Sequence, residues 1–194
     1  MGLFGESVVM KGFGRPEGVF GRLGGWLMAR GNGPTEKHVV KLARLQEKEH
    51  VVVLGPGPGV GLTAAAKYAG IVVGIDPSDT MLLAARHHCG ELVEAGKVQL
   101  VRGDAADTHQ PDHSASVVLS VNNVQLWADR QAAYAEILRV LKPTGRIVIS
   151  VHKKWAPEGL AAELAAAGFK DVTETAWDPP TRRAGTAAIF TANR

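Results

Sequence analysis

Cysteine is almost missing from this chain of 194 residues: Cys89 stands alone, which excludes an intramolecular disulfide and suits a reducing compartment, so a cytoplasmic setting is expected. Long apolar runs are missing too. None approaches the roughly 18 residues of a membrane span. Net charge is small, +3 with 21% charged residues, and an excess of that size lays down no extended basic track, so no nucleic-acid partner is expected. There is no internal repeat and no linker, and the 45% hydrophobic content is ordinary for one globular core. Metal ligands at usable spacing are also lacking. His87, His88 and Cys89 are consecutive, and consecutive residues on a helix point in different directions, so no metal site is expected.

What is present is a glycine-rich loop. The run Val51-Val52-Val53-Leu54 leads straight into Gly55-Pro56-Gly57-Pro58-Gly59-Val60-Gly61, where every second residue is glycine. Glycine reaches backbone angles closed to other residues and carries no Cβ to hold a bound molecule away, so a strand, this loop and a following helix form a ligand-binding turn. The helix former Leu62–Ala69 ends at Gly70, and a second apolar strand, Ile71–Ile75, ends at Asp76. In a parallel sheet that carboxylate stands beside the first loop, where it accepts hydrogen bonds from both hydroxyls of a ribose. Gly55 and Asp76 are 21 positions apart, close to the roughly 20 expected of such a pair. The alternative is a tight turn plus an Asp that merely caps the next helix.

The glycine register separates cofactor classes. The dinucleotide pattern G-x-G-x-x-G fails from Gly55, where Val60 takes the last position, and from Gly57, where Leu62 does. G-x-G-x-G at the strand's end fits, and it resembles motif I of class I S-adenosylmethionine-dependent methyltransferases. The resemblance continues in order through Asp76-Pro77-Ser78-Asp79-Thr80-Met81-Leu82, Val98–Ala106 with its Gly103-Asp104-Ala105, Val117–Asn123, and the turn Leu138-Arg139-Val140-Leu141-Lys142-Pro143-Thr144-Gly145-Arg146. It is closest to methyltransferases of the "type 11" kind and spans roughly residues 35–155. It implies S-adenosyl-L-methionine as cofactor, held by Gly55, Pro56, Gly57 and Gly59, by Asp76, Pro77, Ser78 and Met81, by Gly103, Asp104 and Ala105, and by Asn122. In that family Asp76 binds ribose and Asp104 meets the adenine amino group. It also implies an α/β fold, a Rossmann-like seven-stranded, mostly parallel sheet of order 3-2-1-4-5-7-6 with strand 7 antiparallel and helices on both faces. Two positions depart from the pattern. Val53 stands where motif I usually carries an acid that helps order the loop and the methionine amino group, and Ser116 replaces the usual Asp of strand four.

Apolar patterning places strands near 50–54, 71–75, 97–102, 115–121, 145–152, 170–176 and 185–192, and helices near 36–46, 60–69, 79–95, 129–141 and 157–168. The segment between the last two strands is too short for a crossover helix, so they pair as an antiparallel hairpin. Residues 49–194 form the cofactor-binding domain, and 1–48 an N-terminal arm that carries net +4 and an apolar stripe at Val19, Phe20, Leu23, Trp26 and Leu27. The arm suits a lid bearing substrate contacts, a helix packed on the domain, or a basic-aromatic contact with an anionic membrane surface. Only Lys153–Ala156 stands where larger relatives insert substrate-recognition segments.

Methyl transfer from a sulfonium is chiefly a matter of positioning and water exclusion. Where the acceptor must lose a proton, histidine suits neutral pH, and His152 at the end of strand five is the first candidate base, His38 the second. The alternative for His152 is a strand-end histidine bonded to backbone. Asn123, Trp127 and Trp26 are candidate substrate contacts. The leading function is methyl transfer to a small-molecule or lipid-like acceptor. A nicotinamide-dependent oxidoreductase and a non-catalytic S-adenosylmethionine-binding domain are the alternatives, the latter suggested by Val53.

Overall fold

Apart from its first residue, β1 (His50–Leu54) is apolar throughout, and the computed structural model buries it on both faces, as the centre of a parallel sheet requires. The structure describes residues 32–180 and 185–194; Trp26 and the apolar stripe of the arm lie outside the described residues. The side-chain period of two sends Val52 and Leu54 into one layer with Tyr134, Ile137, Leu160 and Leu164, and Val51 and Val53 into the other with Val39, Val40 and Leu62. Each wholly buried Val or Leu contributes roughly 1.5–3 kcal/mol, so the two layers fix which helix covers which face.

A helical segment, residues 32–42 (α1), precedes β1. Then follow α2 (Val60–Ala65), β2 (Ile71–Asp76), α3 (Asp79–His88), α4 (Gly90–Glu94), β3 (Val98–Arg102), β4 (Ala115–Val121) and α5 (Arg130–Val140). The chain closes with β5 (Leu141–His152), α6 (Leu160–Ala167), β6 (Lys170–Trp177) and β7 (Ala187–Asn193). The sheet has the expected order β3-β2-β1-β4-β5-β7-β6, with β7 antiparallel to both β5 and β6. Strand order reverses between β1 and β4, and the crevice at such a reversal, beyond the strands' carboxyl ends, is where open sheets of this kind bind ligands.

Several boundaries differ from the sequence reading, α2 ending at Ala65 and α6 starting at Leu160 among them, and three differ for a tertiary reason. The helix expected over 36–46 ends at residue 42, and residues 32–35 are helical as well. Arg44 has positive φ (48°), and the Arg146 guanidinium donates to the carbonyls of Ala43 (2.8 Å) and Arg44 (3.2 Å) while pairing with Glu49 (2.7 Å). The helix expected over 79–95 breaks at Cys89, which is buried against the glycine loop with its Sγ 3.3 Å from Thr63 Oγ1. β5 begins four residues early because Leu141 pairs with Ala115 before an irregularity restores register at Val117 and Arg146.

Candidate functional site

The loop after β1 turns through three left-handed glycines, Gly55 (φ 59°), Gly57 (φ 52°) and Gly59 (φ 97°). A Cβ on Gly55 would stand 2.5 Å from Asn123 Nδ2, whereas at Gly57 nothing lies within 4 Å, so the second glycine presents bare backbone to an open cleft. Asp76, at the end of β2, is buried beneath this loop. One carboxylate oxygen accepts the Ser78 amide at 2.9 Å, and the Gly57 amide is also directed at the group. Burial outweighs those amides and pushes its pKa up to about 6. A desolvated carboxylate with lone pairs still facing the cleft is suited to hydroxyl donors.

The cleft has a volume of about 730 Å³. Pro77, Ser78 and Met81 continue its wall from Asp76, with Ser78 capping α3 by accepting the Met81 amide at 3.4 Å. Asp104 and Ala105 form the far wall beyond β3, where Asp104 Oδ1 accepts the amides of Ala106 (2.8 Å) and Asp107 (3.1 Å). Asn122, Asn123 and Trp127 close the near side after β4. Asn122 (φ 55°) accepts the His152 amide at 2.7 Å and donates to Asn32 at 2.9 Å, tying β4, β5 and α1 together. Asn123 donates to the Leu54 carbonyl (2.6 Å) and accepts from Ser120 (2.6 Å) and from the Trp127 indole (3.0 Å). Its polar atoms are therefore committed to holding the loop, and what these residues offer the cleft is shape and an indole face.

Among the residues expected to touch cofactor, Pro56, Gly59 and Gly103 stand behind the wall rather than on it. Pro56 borders a smaller cavity under the loop. Gly59 makes room for Cys89 Sγ, which lies 2.9 Å from where a Cβ would be, and Gly103 packs against the Asp107 carbonyl. Neither candidate base lines the cleft. His152 accepts the Lys154 amide through Nδ1 (3.2 Å) and packs on Trp155 with ring centroids 4.9 Å apart, which is the backbone-bonded alternative for a strand-end histidine. His38 stacks on Trp177 at 4.1 Å and 5°, and burial, then Lys41, lowers its pKa. Among the described residues no group of three or more His, Cys, Asp or Glu is arranged to hold a metal ion, and no helix is long and apolar enough to cross a membrane.

Among the cleft residues that escaped the sequence reading, which include Pro58, Arg102, Leu126 and Asp129, two stand on α1: Asn32 and Glu36. Glu36 lies between the cleft and the smaller cavity, which it shares with Val53, Gly55, Pro56 and Gly61. Its side chain is half-buried as a whole, yet Oε2 is shut off from solvent and has no hydrogen-bond partner among the described residues. Burial, only partly offset by the Gly61 amide, pushes its pKa up to about 7. The signal in the sequence was an acid on the apolar face that Val39, Val40 and Ala43 present to the core.

Residues 52–149 match the family model described as "Methyltransferase domain". The uncharacterized methyltransferase YdaC of Bacillus subtilis is 29% identical over 163 residues, covering 77% of this chain and 87% of that protein. A demethylmenaquinone methyltransferase of Corynebacterium kroppenstedtii is 34% identical over 101 residues, covering 52% of this chain but 41% of its own length. An arsenite methyltransferase of Halobacterium salinarum is matched over 30% of its length, so the chain spans well under half of these two larger relatives. Among solved structures, the complex described as "between the Haloferax volcanii Trm112 methyltransferase activator and the putative methyltransferase" holds a chain that superposes with a TM-score of 0.75 at 20% identity, covering 87% of this chain and 92% of that one. The chain thus belongs to the methyltransferase-domain family, whose cofactor is S-adenosyl-L-methionine.

Proposed function

We propose that this protein transfers a methyl group from S-adenosyl-L-methionine to a small-molecule or lipid-like acceptor. The observation that carries the reading is Asp76, a buried carboxylate under a glycine loop, with lone pairs facing the cleft and its pKa pushed up to about 6. The residues present fit a nucleoside with an amino-acid tail: an acid for ribose hydroxyls, bare backbone at Gly55 and Gly57, the Asp104–Ala105 wall for a purine, and Met81 for an apolar face. When bound, the cofactor supplies a methyl group already activated by its sulfonium. Asp76 orients the ribose, Gly57 allows close approach, and Met81 with Asp104 and Ala105 confines the base.

On the acceptor side the wall is made by Asn122, Asn123 and Trp127, joined by Leu126 and by Asn32 of α1. Their committed hydrogen bonds make that wall rigid, and an indole with apolar neighbours favours an acceptor with a flat or aliphatic body. No histidine faces the cleft among the described residues, so positioning and water exclusion, rather than a dedicated imidazole base, carry the transfer in this reading. The segment 1–48 acts as a lid over the amino-acid end. The seating of α1 at the cleft through Asn32 and Glu36 supports this role.

Calorimetric titration with S-adenosylmethionine and S-adenosylhomocysteine, with NADH as control and Asp76→Ala as comparison, tests the proposal. Micromolar binding of the first two, absent for NADH and lost in the variant, is expected. Binding of NADH without the sulfonium compound would instead support the oxidoreductase reading.

A further inference from the structure

A carboxylate oxygen withdrawn from water without a donor is one of the more costly arrangements a fold can hold, and it persists where a partner arrives from outside. Glu36 Oε2 is such an oxygen: it is shut off from solvent and has no hydrogen-bond partner among the described residues, only the Gly61 amide is directed at the carboxyl group, and the residue that carries it borders the cleft. We propose that Glu36 is the anionic end of an ammonium subsite, holding the α-amino group of the cofactor and supplying from α1 the acid that position 53 lacks. The proposal rests on the reading of the cleft as an S-adenosylmethionine site.

Position, rigidity and chemistry support it. Glu36 and Val53 border the same small cavity, about 20 Å³, with Gly55, Pro56 and Gly61 on the loop side and the aliphatic Val39, Val40, Leu119 and Val121 around the rest, so the Glu36 carboxylate is the one charged side chain on it among the described residues. That is space for one water-sized group, the size of an ammonium head. Asp76, Asp104 and Ala105 occupy the β2–β3 side of the cleft and Glu36 the β1–β4 side, with the glycine loop between them. A ligand whose ribose meets Asp76 and whose base meets Asp104 therefore sends its tail across the loop toward Glu36. The helix that carries Glu36 is held on both sides of it: Asn122 bonds Asn32, and Arg146 holds the carbonyls of Ala43 and Arg44 just past the helix's C-terminal end. Val53 brings no polar atom to the cavity, and no ion pair engages Glu36 among the described residues. An ammonium, with three donors and a full charge, satisfies both the hydrogen-bonding and the electrostatic deficit.

The test compares calorimetric affinities of S-adenosylhomocysteine and its analogue lacking only the α-amino group, for the wild type and for Glu36→Gln. In the wild type the amino group should strengthen binding roughly ten- to hundredfold, the range of a charge-assisted hydrogen bond. In Glu36→Gln the ratio should collapse to about threefold or less, with binding of the analogue undiminished, which also shows that the variant is folded. Should the Gln variant fail to fold, Glu36→Asp, which keeps the charge and shortens the reach, should give an intermediate ratio. A ratio near one in the wild type, or an undiminished ratio in whichever variant folds, would overturn the proposal. A wild type that binds neither compound would overturn the reading of the cleft itself, a result distinct from loss of amino-group discrimination.

Discussion

Glu36→Gln should make the ligand-free protein more stable at alkaline pH, although it removes an acidic group beside the glycine loop without adding any packing. In the unfolded chain Glu36 gives up its proton near 4.5, whereas in the folded protein burial delays this to about 7. Between those values the native state binds more protons than the unfolded one, so stability is fully present below about 4.5 and is lost as pH rises through about 7. At roughly 1.36 kcal/mol per pH unit the displacement corresponds to about 3 kcal/mol. Asp76, pushed up to about 6, slopes the wild-type profile the same way, and it cancels in the difference between the two proteins. Gln does not titrate. The variant and wild type should therefore match near pH 4, and by pH 8 the variant should melt higher by roughly 6–12 °C, at 2–4 °C per kcal/mol for a chain of this size. Thermal unfolding followed by circular dichroism from pH 4 to 8, without ligand, reads the difference directly. Profiles that stay parallel across that range would refute the assignment of a desolvated carboxyl to Glu36.

Other outcomes follow from the same geometry. Asn123→Ala strips partners from the Leu54 carbonyl, Ser120 and the Trp127 indole, and should cost roughly 2–3 kcal/mol in urea unfolding; a loss under about 0.5 kcal/mol would show that the loop is held otherwise. Gly55→Ala forces a left-handed residue and drives its Cβ onto Asn123 Nδ2, so it should destabilise by roughly 1–3 kcal/mol and weaken cofactor binding in calorimetry. Glu136 moves opposite to Glu36: hydrogen bonding to Arg139 holds its carboxyl down near 2. Its contribution is present above about 4.5 and disappears as pH falls toward 2, so Glu136→Gln should flatten the acid limb of unfolding.

The sheet was legible because its centre is written in β-branched runs. Val51–Leu54, Ile71–Ile75 and Val117–Val121 pair without any irregularity, and their order could be inferred from the motifs that follow each strand. Asp76 was legible for the same reason, since its spacing from Gly55 is set by one β-α-β unit. What escaped depends on distant partners. Arg146 ends the first helix from 102 positions away, and Cys89 splits a helix because Thr63 and Gly59 sit above it. His152 was drawn toward catalysis by its place at a strand end, yet Lys154 and Trp155 occupy its ring. Glu36 was invisible as a site residue because nothing in the motif around Val53 points to a helix before the first strand. Only the packing of Val39 and Val40 on the sheet turns that carboxylate toward the glycine loop.

A crystal structure of the protein with S-adenosylhomocysteine would show how the cleft holds its ligand. Both ribose hydroxyls should lie within hydrogen-bonding distance of the Asp76 carboxylate, with the purine against Asp104 and Ala105 and the amino-acid end crossing the glycine loop. A ligand bound outside this cleft, or seated in it with its ribose turned away from Asp76, would refute the role given to Asp76.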